Sequence, residues 1–215
     1  MDMNLQVEGL AFHFDTRSVF AGFSATLGPG ITWLRGANGR GKTTLLKLMA
    51  GALAPHAGAI RMDGVDSERD ALAYRSASFY CGGETPDLPW LTAQEFLDLH
   101  LALYPAAEAQ ALDAQLAAFG IRDVLPQAVS TLSLGQHKKL QLALALALPV
   151  KLLLIDEPFN GLDAAAMAYL RAQLAQRAAA PSSCIVLTSH LDPQLPVART
   201  LDLDVATLPA QTVFF

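Results

Sequence analysis

Cysteine is scarce in this chain. Only Cys81 and Cys184 occur among 215 residues, far apart and without a CxxC pair, which excludes a disulfide framework and a zinc module. Both read as buried free thiols of a reducing compartment. Charge is sparse as well, with 16% charged residues against 52% hydrophobic ones, which excludes extended disorder. Positive charge is in the minority: 15 Lys and Arg face 20 Asp and Glu, for a net charge of -5 and a pI near 5.4. That balance argues against a chain that coats nucleic acid or anionic lipid. No nucleic-acid partner is expected, and any phosphate must be met by local groups. Long apolar runs are missing too. The most apolar stretch, Leu140 to Ile155, is interrupted by Gln141, Pro149 and Lys151, whereas a spanning helix needs about 20 apolar residues. It reads as a buried helix followed by a buried strand. Met1 to Leu10 lack the basic-then-apolar order of a secretory signal, so a cytosolic location is expected.

What is present is an alternation of strands and helices. Ile31 to Leu34, Leu152 to Ile155 and Cys184 to Leu187 are short apolar runs bounded by turn or charged residues. They predict central strands covered on both faces. Helical patterns lie at Thr43 to Leu53, before Pro55, and at Leu162 to Ala180, before Pro181. This is the pattern of an α/β fold with a mainly parallel sheet. The first 27 residues, with Leu5, Val7 and Phe12 to Phe14, predict flanking strands. In the middle third, Thr92 and Glu95 form a capping box, and Leu112, Leu116 and Phe119 share a helical stripe that ends at Gly120. A helical subdomain is therefore expected over about residues 86–131, inserted in a single domain of residues 1–215.

Gly36, Ala37, Asn38, Gly39, Arg40, Gly41, Lys42 and Thr43 fit G-x-x-x-x-G-K-[ST] in full, between an apolar strand and a helical run that continues with Thr44. Glycines let the backbone wrap a polyphosphate with its N–H groups pointing inward, and the helix adds the positive end of its dipole. In such a loop Lys42 reaches the β- and γ-phosphates and the Thr43 hydroxyl ligates Mg²⁺. The strand Leu152 to Ile155 delivers Asp156 and Glu157 at its C-terminal end, where ligands of parallel sheets bind. Asp156 suits the Mg²⁺ shell, and Glu157 suits a general base, a role worth roughly 10² to 10⁴ in rate.

Three further signals follow in order: Leu132 to Gln136, with Ser133 and Gly135 inside it; Asn160 to Asp163; and His190 at the end of a strand. Ser133 and Gln136 alone would make a capping box, whose helix N-terminus is also an anion site. Together with the phosphate loop, these segments resemble the P-loop NTPase domains of ATP-binding cassette (ABC) transporters over nearly the whole chain. The resemblance implies ATP and Mg²⁺ as ligands and a dimer, of two copies or a copy and a relative, closing on two ATP molecules. In it Ser133, Gly135 and Gln136 form the signature segment that meets the partner's nucleotide. Asp163 communicates between the sites, His190 contacts the γ-phosphate, and Phe14 stacks on adenine. It also implies an integral membrane permease as partner and a peripheral position on the inner face of the cell membrane. Compact size and the type of phosphate loop are similar to the haem-exporting branch of that family.

Two departures from the family pattern stand out. Leu134 replaces the central glycine of the usual signature. No glutamine precedes the helical part, in Tyr80 to Thr85, and Glu84 is the nearest polar candidate for touching Mg²⁺. The missing glutamine keeps open a nucleotide-gated subunit with low turnover, and a soluble ABC ATPase without a transport role is the other alternative.

Overall fold

The computed structural model describes residues 3–82, 88 and 90–206. Two long strands, β1 (Leu5–Phe14) and β2 (Arg17–Leu27), pair antiparallel and are joined by a turn at Asp15 and Thr16. Asp15 takes a left-handed φ of 46° there, which aspartate tolerates better than most side chains. After β3 (Gly30–Arg35) and α1 (Lys42–Met49), the strands β4 (Ala57–Met62) and β5 (Val65–Asp66) complete a four-stranded sheet in the order β2-β1-β4-β5.

The remaining described elements build the larger layer around β3. It comprises α2 (Ala71–Ser76), β6 (Ser78–Cys81), α3 (Ala93–Leu103), α4 (Ala109–Phe119), α5 (Leu134–Ala147), β7 (Leu152–Ile155), α6 (Ala164–Ala178), β8 (Cys184–Thr188), β9 (Val197–Asp202) and α7 (Leu203–Ala206). A five-stranded sheet runs β6-β7-β8-β3-β9, parallel at every pairing. Its strands therefore end on one edge, at Arg35, Cys81, Ile155, Thr188 and Asp202, and that edge is where the site lies.

The apolar runs of the sequence form β3, β7 and β8, and every residue of β7 and β8 is buried. Cover on both faces explains why they carry no polar alternation. On one face Phe96, Leu116, Phe119, Leu140 and Leu144 pack over Leu153 and Ile185. On the other, Leu10, Phe20, Leu45, Leu46 and Tyr74 pack over Leu154 and Val186. Both cysteines are free and buried, and burial pushes their thiols up, to about 11 for Cys81 and about 12 for Cys184.

Both capping boxes form: Thr92 with Glu95 at α3, and Ser133 with Gln136 at α5. Two helices are shorter than their sequence patterns predict. α1 stops at Met49 rather than Leu53, because Gly51 adopts a φ of 70° and the N–H groups of Ala52 and Leu53 both turn back to the Lys47 carbonyl. α6 begins at Ala164 rather than Leu162, because the Asp163 side chain accepts from the Ala166 N–H and fixes the start.

Candidate nucleotide site

Between β3 and α1 the chain makes a loop whose shape depends on glycine. Gly36, Gly39 and Gly41 have φ values of 145°, 78° and 90°, a region that other residues rarely enter. Gly41 is further constrained, since a Cβ there would lie 2.5 Å from Val19 Cγ1 and 3.0 Å from the Phe20 ring. The hairpin β1–β2 thus presses against the loop and holds it in place. No side chain caps the N-terminus of α1, so its first N–H groups are free to meet an anion. The Lys42 ammonium reaches back across the loop and donates to the carbonyls of Gly36 at 2.7 Å and Ala37 at 3.2 Å.

Facing the loop is the end of β7. Thr43 Oγ1 donates to Asp156 Oδ2 at 2.5 Å, which joins the first turn of α1 to the first carboxylate. Glu157 follows with a φ of 48°. A left-handed conformation at a residue with a long side chain costs about 1–3 kcal/mol. It is held by two hydrogen bonds: the Glu157 N–H donates to Thr188 Oγ1 at 2.8 Å, and its carbonyl accepts from the Asn160 N–H at 3.4 Å. The result is that Glu157 Oε1 is buried without a hydrogen-bond partner, 3.4 Å from His190 Nε2. An unpartnered buried acceptor in a cleft calls for a donor from outside the chain, such as a water molecule.

One cleft collects Phe14, Asn38, Gly39, Gly41, Lys42, Thr43, Thr44, Asp156, Glu157 and His190. The sequence named all of these. Phe14, the last residue of β1, lines the cleft, is 51% exposed and makes a T-shaped contact with Phe12. The side chain of Arg40 turns the other way. Its Nε donates to Asp204 Oδ1 at 2.8 Å, and Asp204 Oδ2 accepts from the Ala37 N–H at 3.0 Å. Gly36 is enclosed as well, with Leu203 Cβ 3.2 Å from where its own Cβ would be. Gly36, Ala37 and Arg40 therefore shape the loop from behind.

Ser133, Gly135, Gln136 and Asp163 lie on a separate surface. Ser133 Oγ accepts from the Gln136 N–H, which leaves the hydroxyl proton available. Gly135 abuts the Gly161 carbonyl, 3.1 Å from where a Cβ would be. Lys139 donates to Asp163 at 2.6 Å, and this hydrogen bond together with the N-cap contact holds the Asp163 carboxyl below its usual range. Leu134 is 87% exposed. The same helix also reaches the cleft, since Lys138 is buried and its Nζ donates to the Asp156 carbonyl at 3.0 Å. Glu84 lies outside the described residues.

Five residues at or around the site carry no sequence signal: Arg17, Trp33, Lys138, Thr188 and Asp204. Each acts through a hydrogen bond to a residue at least 18 positions away.

The parallel sheet, the glycine loop and the paired carboxylates at the strand ends define a phosphate-loop ATPase. Residues 21–160 match the family model described as ABC transporter, and the chain belongs to that family: it is an ABC transporter ATP-binding subunit with ATPase function. It is 38% identical over 192 residues to the cytochrome c biogenesis ATP-binding export protein CcmA of Pseudomonas putida, covering 88% of this chain and 90% of that protein. It is 35% identical over 207 residues to the CcmA of Paramagnetospirillum magneticum, covering 94% and 95%. A solved ATP-binding subunit of an ABC transporter superposes with a TM-score of 0.74 at 27% identity, covering 87% of this chain and 79% of that one. Among the described residues no helix is long and apolar enough to cross a membrane.

Proposed function

We propose that this chain is the ATPase of an exporter serving cytochrome c biogenesis, of the haem-exporting type, and that all of it works as one ATP-binding domain with a helical part over about residues 86–131. It sits on the inner face of the cell membrane, held by a permease. Two ATP-binding subunits close on two ATP molecules, each contributing Ser133, Gly135 and Gln136 to the nucleotide of the other. The loop from Gly36 to Thr44 wraps the phosphates, Lys42 leaves the loop carbonyls for the β- and γ-phosphates, and adenine stacks on Phe14.

The donor set fits Mg²⁺. Thr43 Oγ1 and Asp156 Oδ2 are hard oxygens facing each other in the cleft, and no cluster of three or more His, Cys, Asp or Glu residues occurs among the described residues. A small octahedral ion bound by one or two protein oxygens, phosphates and water suits such a site. Bound there, the ion would neutralise charge on the phosphates. Glu157 Oε1 takes the proton of the attacking water, and His190 orients both the carboxylate and the γ-phosphate. Asp163 links the two sites of the dimer. Glu84 is proposed to stand in for the missing glutamine: Glu84→Ala should lower turnover and Glu84→Gln should restore it, and unchanged activity in both rejects that role.

The observation that carries this reading is the unpartnered Glu157 Oε1 beside His190, opposite the phosphate loop. Affinity isolation of tagged Glu157→Gln protein with Mg-ATP from gently solubilised membranes tests it. Recovery of a stoichiometric multi-spanning chain supports the exporter. Recovery of soluble chains or nucleic acid alone removes the transport role.

A further inference from the structure

The cleft contains a basic residue that the phosphate-loop motif does not supply. Arg17 opens β2 and is the direct cross-strand partner of Phe14, the two closing the Asp15–Thr16 turn. Both line the cleft. Arg17 Nη2 donates to the Gly39 carbonyl at 3.2 Å, which brings the guanidinium to the rim of the loop. That bond occupies one of its five N–H groups and leaves the planar fork able to meet phosphate oxygens.

Charge balance points the same way. A nucleotide polyphosphate carries more negative charge than one lysine neutralises, and Asp156 and Glu157 add more at the other end of the cleft. Arg40, the other basic residue of the loop, is committed to Asp204. Among the described residues that line the cleft, Arg17 and Lys42 are the only lysine or arginine side chains. Lys42 directly precedes Thr43, whose hydroxyl bonds Asp156, whereas Arg17 is paired across the hairpin with Phe14. With adenine on Phe14, the phosphate nearest to the base meets Arg17.

We infer that Arg17 is a specificity residue that binds the base-proximal phosphates, and that it forms with Phe14 a recognition unit for the half of the nucleotide that ATP and ADP share. This rests on the ATP-site reading above. The unit is built on a short turn between two paired strands, so the backbones that carry ring and guanidinium are held side by side before any ligand arrives, which lowers the ordering cost of binding. It gives the cleft an affinity for ADP that does not depend on the γ-phosphate. Hydrolysis would then leave the product held at one end while the contacts of Lys42, Glu157 and His190 at the other are released.

The test is calorimetric titration of the protein with ATP and with ADP, plus displacement of labelled ADP by adenosine, for wild type, Arg17→Ala, Arg17→Lys, Phe14→Ala and Lys42→Ala. Arg17→Ala should weaken ATP and ADP by the same factor, on the order of tenfold for a charge-assisted hydrogen bond, and leave adenosine unchanged. Arg17→Lys should recover part of the loss. Phe14→Ala should weaken all three ligands. An equal loss for adenosine in Arg17→Ala overturns the assignment, because the residue would then act only by shaping the turn. So does a loss confined to ATP, which would place it at the γ-phosphate. Unchanged affinities in Arg17→Ala beside lost ATP binding in Lys42→Ala overturn the Arg17 role alone. If Lys42→Ala also binds normally, the cleft is not the nucleotide site and both readings fall.

Discussion

The Thr188 hydroxyl donates to Asp156 Oδ1 at 2.6 Å. Thr188 Oγ1 also accepts from the Glu157 N–H, so a single group on β8 fixes both the Asp156 carboxylate and the strained backbone of Glu157. Thr188→Val keeps the shape and removes both bonds. It should lower ATP turnover roughly tenfold and destabilise the fold by about 1–3 kcal/mol, the cost of an unsatisfied buried donor. Thr188→Ser should recover most of both losses. Steady-state ATPase and thermal unfolding read them separately, and wild-type turnover in Thr188→Val would show that the carboxylates hold themselves.

Lys42 and Glu157 should fail in different ways. Lys42→Ala removes the ammonium proposed to meet phosphate, so nucleotide affinity should fall. Glu157→Gln keeps the shape and removes the proposed proton acceptor, so binding should persist while hydrolysis drops by roughly 10² to 10⁴. The trapped ATP-bound dimer is visible by size-exclusion chromatography. Hydrolysis by Glu157→Gln at the wild-type rate would exclude it as the base.

Trp33 Nε1 donates to the Ser189 carbonyl at 3.2 Å, and the Arg35 guanidinium lies over the same ring at 4.9 Å. This anchors the backbone just before His190 to the strand that leads into the phosphate loop. Trp33→Phe retains the ring and removes the donor. A several-fold fall in kcat with little change in KM for ATP is expected, because His190 would be misplaced while the loop is intact. A change in KM alone would mean that Trp33 serves the loop rather than the histidine.

Asp163 gives a pH signature. Its carboxyl is held below the ordinary value by Lys139 and by the N–H of Ala166. A lowered folded value means that the ionised group adds stability above the ordinary carboxylate range, and that this contribution is lost as pH falls through the folded value. Asp163→Asn should flatten the acid side of a plot of thermal midpoint against pH. An identical acid limb in the variant would show that other carboxylates set it.

Much of the fold is legible in the residue order because its central strands are buried on both faces. Leu152 to Ile155 contains no polar residue, and Ser133 with Gln136 announces the start of α5. The cleft is legible for the same reason: its groups stand at the ends of those elements, in motifs of fixed spacing. The rest arises from hydrogen bonds between distant segments. Nothing local to Thr188, Asp204 or Arg17 tells which carboxylate, amide or carbonyl each will meet, and the early end of α1 depends on the left-handed turn at Gly51.

The grip of Asp204 on the Ala37 amide spans 167 positions, and it has a consequence for biosynthesis. The motif from Gly36 to Thr43 leaves the ribosome long before β9 and α7 do. Until those late segments emerge, the loop lacks both its outer clamp and the wall that Leu203 makes against Gly36. A chain ended before Asp204 would carry every residue of the phosphate motif without the side chain that fixes the Ala37 amide and the Arg40 guanidinium.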